Sequence, residues 1–282
     1  MNIEKFYATL DGFFAEKKID KAELFLKETL REAEAEENFG LIIAAYNELG
    51  GLYRVLSRYD EGVPLYEKAL ENLQRIGEAG SENYATTLIN YATILSMSGR
   101  YESALEKYKD VVKILQINGA EGDYRMAALY NNMSGLYQAK GDFNAAAAYL
   151  HKALLILKNL TDAEIETAVS CSNLASIYIV LGNMQDAENY AKQAVEIFHA
   201  EAAEDDVHYS AALCTLGEVY FAKGEYAEAE ELFSEALRLI ARDYGTSNDS
   251  YRVVEKNLNL CRIPKAVSAG FGVSRGLIIR AF

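Results

Sequence analysis

The sequence predicts an all-α fold, a solenoid of antiparallel helix pairs stacked one on the next. Two observations carry that prediction: a register that recurs five times along the chain, and apolar residues spaced by three and four on both sides of it. A third agrees with them. The chain has only two prolines in 282 residues, Pro64 and Pro264, and proline costs roughly 3 kcal/mol inside a helix. Both are expected to lie outside most of the helices.

The register is anchored on the glycine of YQAKGDF. Ser57, Gly99, Gly141, Gly182 and Gly224 fill this slot, 41 or 42 residues apart. Two residues later stand Tyr59, Tyr101, Phe143, Met184 and Tyr226, and three further on Gly62, Ala104, Ala146, Ala187 and Ala229. Seven residues before the anchor all five are small: Gly50, Ala92, Ser134, Ala175 and Gly217. Four before it stand Tyr53, Leu95, Tyr137, Tyr178 and Tyr220. The anchor suits a left-handed break that ends a first helix. Small residues on facing sides let the second helix fold back closely, and aromatics fill the gaps beside them. Each pair leaves an apolar face for its neighbour to cover, which is the logic of a solenoid.

Taken in chain order, FYATLDGFFAE is a first helix without its glycine. Residues 19–37 are its partner, with Ile19, Ala22 and Leu26 in register. The five anchored pairs follow. Within them TDAE at 161–164 fits a capping box, with Thr161 as N-cap and Glu164 three residues on. Residues 248–261 form one more first-type helix, which covers the last apolar face. The expected domain is therefore 1–262, six pairs and a capping helix, followed by a non-repeat tail at 263–282. That tail, AVSAGFGVSRGLIIRAF after Pro264, has two readings. Either it begins a downstream region, or it docks on the array as a self-ligand and supports self-association.

The stretches NELGGLYRVLSRYDEGVPLYEKAL and CTLGEVYFAKGEYAEAEELFSEALRLI carry L-G-x-x-Y, G-x-Y-x-x-A and Y/F-x-x-A-L signatures. On these the chain resembles the tetratricopeptide repeat family over roughly residues 39–261, with degenerate forms reaching residue 1. The usual repeat is about 34 residues. Here it is 41 or 42 and lacks the closing proline, so each pair is about two turns longer, as in the kinesin light chain subtype. ARDYGTSNDSYRVVEKNLNL resembles that subtype's linker and next helix. The resemblance implies a right-handed superhelical array with a concave groove lined by first helices.

One slot bears on what the groove does. It holds Glu48, Asn90, Asn132, Asn173, Thr215 and Asn257, although asparagine is a poor interior helix residue. On the helix around Met133 the core stripe is Tyr130, Met133, Ser134 and Tyr137. Asn131, Asn132, Gly135 and Gln138 form the neighbouring stripe, which the resemblance turns into the groove. Its counterparts are Thr86, Ile89, Asn90, Thr93 and Met97; Ser172, Asn173, Ser176 and Val180; and Cys214, Thr215, Glu218 and Phe221. Two readings stay open. The amides either hold the backbone of an extended peptide, needing both donor and acceptor, or stitch one repeat to the next. The resemblance assigns the first role to Asn90, Asn132 and Asn173. The expected groove is Asn90, Asn131, Asn132, Gln138, Asn173, Ser176, Thr215 and Glu218.

The remaining chemistry is sparse. A net charge of −14 disfavours nucleic acid and membrane surfaces and attracts basic partner segments. The amino terminus reads as no signal peptide, no apolar run approaches the ~20 residues of a membrane span, and Cys171, Cys214 and Cys261 have no pairing pattern. A cytoplasmic location is expected. The cysteines read as packing residues, nine of the twenty tyrosines as core, and the many carboxylates of EAEAEE and EYAEAEELFSEA as solvated helix faces. His151, His199 and His208 lack metal-ligand spacing, the acidic residues between the last two read as a solvated loop, and GFGVSRG fails as a dinucleotide fingerprint. No catalytic residue, metal or cofactor is expected. The function expected is a scaffold that binds an extended segment of a partner protein. The alternatives are a peptide-signal receptor of the bacterial quorum-sensing regulator type, and a module recruiting substrate to a downstream enzyme.

Overall fold

The computed structural model describes residues 1–201, 206 and 208–262. The tail at 263–282, with Pro264 and GFGVSRG, lies outside the described residues, as does most of the acidic loop between His199 and His208. Among the described residues there are thirteen helices and no strand, and they fall into two compact units. The first, residues 1–121, contains three antiparallel pairs: α1 (Ile3–Ala15) with α2 (Ile19–Ala35), α3 (Phe39–Val55) with α4 (Tyr59–Arg75), and α5 (Glu82–Met97) with α6 (Tyr101–Ile117). The second begins at Gly122. It contains α7 (Tyr124–Ala139) with α8 (Phe143–Leu157), α9 (Glu164–Leu181) with α10 (Met184–Ala200), and α11 (Tyr209–Lys223) with α12 (Tyr226–Tyr244), closed by α13 (Asp249–Cys261). Within each unit a second helix packs on its own partner and, where another first helix follows, on that helix too.

The breaks fall where the anchor places them. Gly99, Gly141, Gly182 and Gly224 have φ of 79°, 79°, 76° and 85°. Ser57 at 58° and Lys17 at 56° adopt the same conformation without glycine, so the first pair keeps the left-handed break although it lacks the residue that makes it easy. Glycine is required for a different reason seven residues earlier. A Cβ on Gly50 would lie 2.8 Å from the ring of Tyr66, and one on Gly217 would lie 2.9 Å from Phe233. Both aromatics are fully buried, so close approach of the two helices is set by this pairing of a missing side chain with a large one. The last face is covered as the solenoid requires: Val254, Leu258 and Cys261 of α13 join a core cluster with Phe198 and Phe233.

Three expectations are corrected. Pro64 lies inside α4, at an exposed position where the missing N–H leaves one carbonyl of the first turn to water. The 161–164 box does not form. Asp162 takes a left-handed φ of 56°, and α9 starts only after Ala163, which makes no side-chain cap. Leu160 and Ala163 are drawn into a cluster with Ala127, Ala153 and Leu157, and that packing delays the helix past Thr161. The nine core tyrosines divide: Tyr53, Tyr66 and Tyr108 are buried, Tyr59 and Tyr101 are half-buried, and Tyr137, Tyr178, Tyr220 and Tyr226 are half-buried against the clusters with one edge outside.

Candidate functional site

In the second unit the first helices α7, α9 and α11 present one polar stripe each. Between them lies a cleft of about 260 Å³. It brings together Asn131, Gln138, Asn173, Ser176, Thr215 and Glu218, six of the eight residues the register singles out. Asn132 lines a second cleft, of about 330 Å³, which shares Asn131 and is walled by Tyr124, Ile165, Glu166 and Val169. Asn90 stands at the equivalent place on α5, in the first unit.

The hydrogen bonds separate the two readings residue by residue. Asn131 donates to the Ala127 carbonyl at 3.2 Å and to Ser170 Oγ on α9 at 2.9 Å, and Ser170 Oγ donates back to Asn131 Oδ1 at 3.2 Å. Ser172 Oγ reaches Thr215 Oγ1 on α11 at 3.4 Å. These polar groups stitch one repeat to the next. By contrast the side chains of Asn90, Asn132 and Asn173 make no hydrogen bond to any described residue. Asn173 is exposed, and Asn90 and Asn132 are partly so. A one-residue step along the helix therefore divides the amides into those engaged by the fold and those facing out of it.

Glu218 and Thr215 are almost wholly buried at the cleft, and Cys214 beneath them is 2% exposed. The Cys214 thiol is pushed well above its ordinary range, by burial first and by the charge of Glu218 second. Burial likewise pushes the Cys171 thiol up to about 12. Both thiols stay protonated and act as packing groups. Among the described residues no three His, Cys, Asp or Glu converge on a possible metal position, and no helix is long and apolar enough to cross a membrane.

Some of the geometry has no local signal in the sequence. Ser170, 39 residues beyond Asn131, has no feature marking it as that amide's partner. The acidic faces were also not simply solvated. Glu23 Oε2 accepts from Arg58 at 2.8 Å, Glu188 from Lys223 at 2.8 Å and Glu230 from Arg262 at 2.7 Å. All three acids stand in one register, six residues after a break, and pair with a base near the end of the next first helix. That coincidence was the available signal.

A family model of the tetratricopeptide repeat matches residues 41–117, 125–200 and 164–242. The chain is 22% identical over 198 residues to Protein KINESIN LIGHT CHAIN-RELATED 3 of Arabidopsis thaliana, covering 70% of this chain and 30% of that one. It is 22% identical over 211 residues to Protein KINESIN LIGHT CHAIN-RELATED 2 of the same organism, covering 74% and 32%. The chain thus spans about a third of the length of these curated relatives. Among solved structures, BtubC (BKLC) from P. vanneervenii superposes with a TM-score of 0.65 at 24% identity, over 82% of this chain and 92% of that one. The apo form of the quorum sensor NprR from B. thuringiensis superposes with a TM-score of 0.68 at 15% identity, over 95% and 70%. Both share the fold.

Proposed function

Because the chain belongs to the tetratricopeptide repeat family, with long repeats like those of kinesin light chains, we propose that it is a protein-interaction scaffold whose first helices grip an extended segment of a partner protein. The observation that carries this reading is the set of unengaged amides on Asn132 and Asn173, beside neighbours engaged by the fold. An extended segment presents unpaired N–H and C=O groups in alternation, and a carboxamide answers both. Ile165 and Val169 beside Asn132 supply apolar surface for alternate side chains of such a segment. Asn90 presents the same amide in the first unit. The reading needs no catalysis by this chain.

The test is a pull-down from native lysate with the wild-type chain and an Asn90→Ala, Asn132→Ala, Asn173→Ala variant, its helicity and melting checked by circular dichroism. A partner held by the wild type and lost by an equally stable variant supports the reading. The same partners held by both overturn it.

The likeness of fold to the quorum sensor NprR favours a second reading, a receptor for a short peptide. It would bind a peptide of only several residues and change its radius of gyration in X-ray scattering on doing so. A scaffold would keep its dimensions.

A further inference from the structure

The cleft of about 330 Å³ between α7 and α9 has a floor and a rim of different chemistry. Ala127 and Leu157 form the floor, buried in one cluster with Ala153 and Ala163. Ala128, Ile165 and Val169 continue that apolar surface outward. The rim is polar: Glu166 and Asp206 line it and are partly exposed. We propose that this cleft seats a large apolar side chain of the bound segment, one with a neighbouring Lys or Arg in the segment's own sequence. The proposal rests on the groove reading above and names the kind of segment that the groove selects.

The floor chooses the anchor. Apolar surface removed from water is the general driving force of such contacts. Because Ala127 and Leu157 are already fixed by the core cluster beneath them, little ordering remains to be done on binding. A polar side chain entering there would leave its hydrogen-bonding groups against hydrocarbon. The volume stands at the low end of the roughly 300–1,000 Å³ of sites for whole small ligands, which suits one large side chain of a longer segment. Asn132 lines the same cleft, and its amide makes no hydrogen bond to any described residue. An amide that holds the backbone at the edge of the cleft fixes which residue turns its side chain inward.

The rim chooses the neighbour. Glu166 lies beside the Tyr124 hydroxyl, which burial first, and the charge of Glu166 second, push up. Asp206 accepts from the backbone N–H of His208 at 2.8 Å. Neither carboxylate forms an ion pair, and among the described residues no Lys or Arg lines the cleft. An acidic residue next to the anchor would meet two like charges there, whereas a basic one is complementary. The net charge of −14 acts in the same direction on the approach of the segment.

The experiment is selection of a random peptide library displayed on phage against the full 282-residue chain. Selected peptides should share a large apolar residue with a neighbouring Lys or Arg. Replacing that apolar residue by alanine should weaken binding to the wild type roughly ten- to a hundredfold. Ala128 is partly exposed on the wall, so Ala128→Leu fills the cleft from its open side. On that chain the same replacement in the peptide should cost less than about twofold. Peptides without the shared pair overturn the proposal, as does an equal alanine penalty on both proteins. An alanine penalty below about twofold on the wild type alone overturns it too, so the test survives a variant that fails to fold. The groove reading fails separately, either if no peptide is recovered, which removes both, or if the peptides bind an Asn132→Ala, Asn173→Ala chain unchanged.

Discussion

Around the place where a Cβ of Gly135 would stand, nothing lies within 4 Å, although a glycine inside a helix costs roughly 0.5–1 kcal/mol against alanine. Packing gives no reason for it. Its position on the wall of the 260 Å³ cleft does, because a bare backbone there lets another chain approach closely. Gly135→Ala should therefore stabilise the protein by about 0.5–1 kcal/mol in urea denaturation while weakening retention of the partner that the wild type holds. Stabilisation with unchanged binding would show that the cleft is wider than its occupant needs. Gly50 is the opposite case, with its absent Cβ 2.8 Å from the Tyr66 ring. Gly50→Ala should destabilise by about 1–3 kcal/mol. Tyr66→Leu in the same chain should recover part of the loss, since Ser134 and Leu150 hold these two slots in another repeat. No recovery would mean that the backbones, rather than the ring, set the separation.

Between elements, the strongest polar link of the first unit is Glu23. It joins α2 to the following pair, accepting from Lys27 at 2.6 Å, Tyr53 Oη at 2.9 Å and Arg58 at 2.8 Å, with its side chain 17% exposed. Lys27 first, then Arg58 and Tyr53, hold its carboxyl down to about 2 against the opposing effect of burial. A depressed carboxyl contributes stability above its unfolded value, near 4.5, and loses it as pH falls from there through about 2. Glu23→Gln should thus cost about 1–3 kcal/mol at pH 7, and the difference from wild type should shrink steadily below pH 4.5 and vanish near pH 2. Urea titrations of both chains at pH 7 and near pH 2.5 check this; a penalty independent of pH would assign the effect to packing. The elements themselves were legible because break, small residue and aromatic are local and repeat. The link through Glu23 was not, since it joins residues 35 apart in sequence within a background of 42 acidic side chains. Nor could periodicity say which of Asn131 and Asn132 the fold engages. Adjacent residues point about 100° apart around a helix, and the choice was made by Ser170 on the next repeat.

For the molecule as a whole, the proposed scaffold divides the work of binding between charge and hydrogen bonding. A net charge of −14 on 282 residues acts at long range and on any cationic segment, so it governs encounter. On the proposed reading the amides of Asn132 and Asn173 act only on contact, so they govern how long an encounter lasts. The two contributions respond differently to salt. Over the Debye length, about 10 Å at 0.1 M ionic strength, surface charges are screened, whereas a buried pair is screened far less. In stopped-flow experiments with a basic peptide from a retained partner, the association rate should fall about tenfold or more as salt rises from low concentration to near molar. The dissociation rate should change little, and Asn132→Ala or Asn173→Ala should raise that rate while leaving the salt slope of association intact. An association rate flat in salt would mean that the acidic surface lies away from the path of approach. A dissociation rate as salt-sensitive as association would mean that exposed charges, rather than the amides of Asn132 and Asn173, hold the segment.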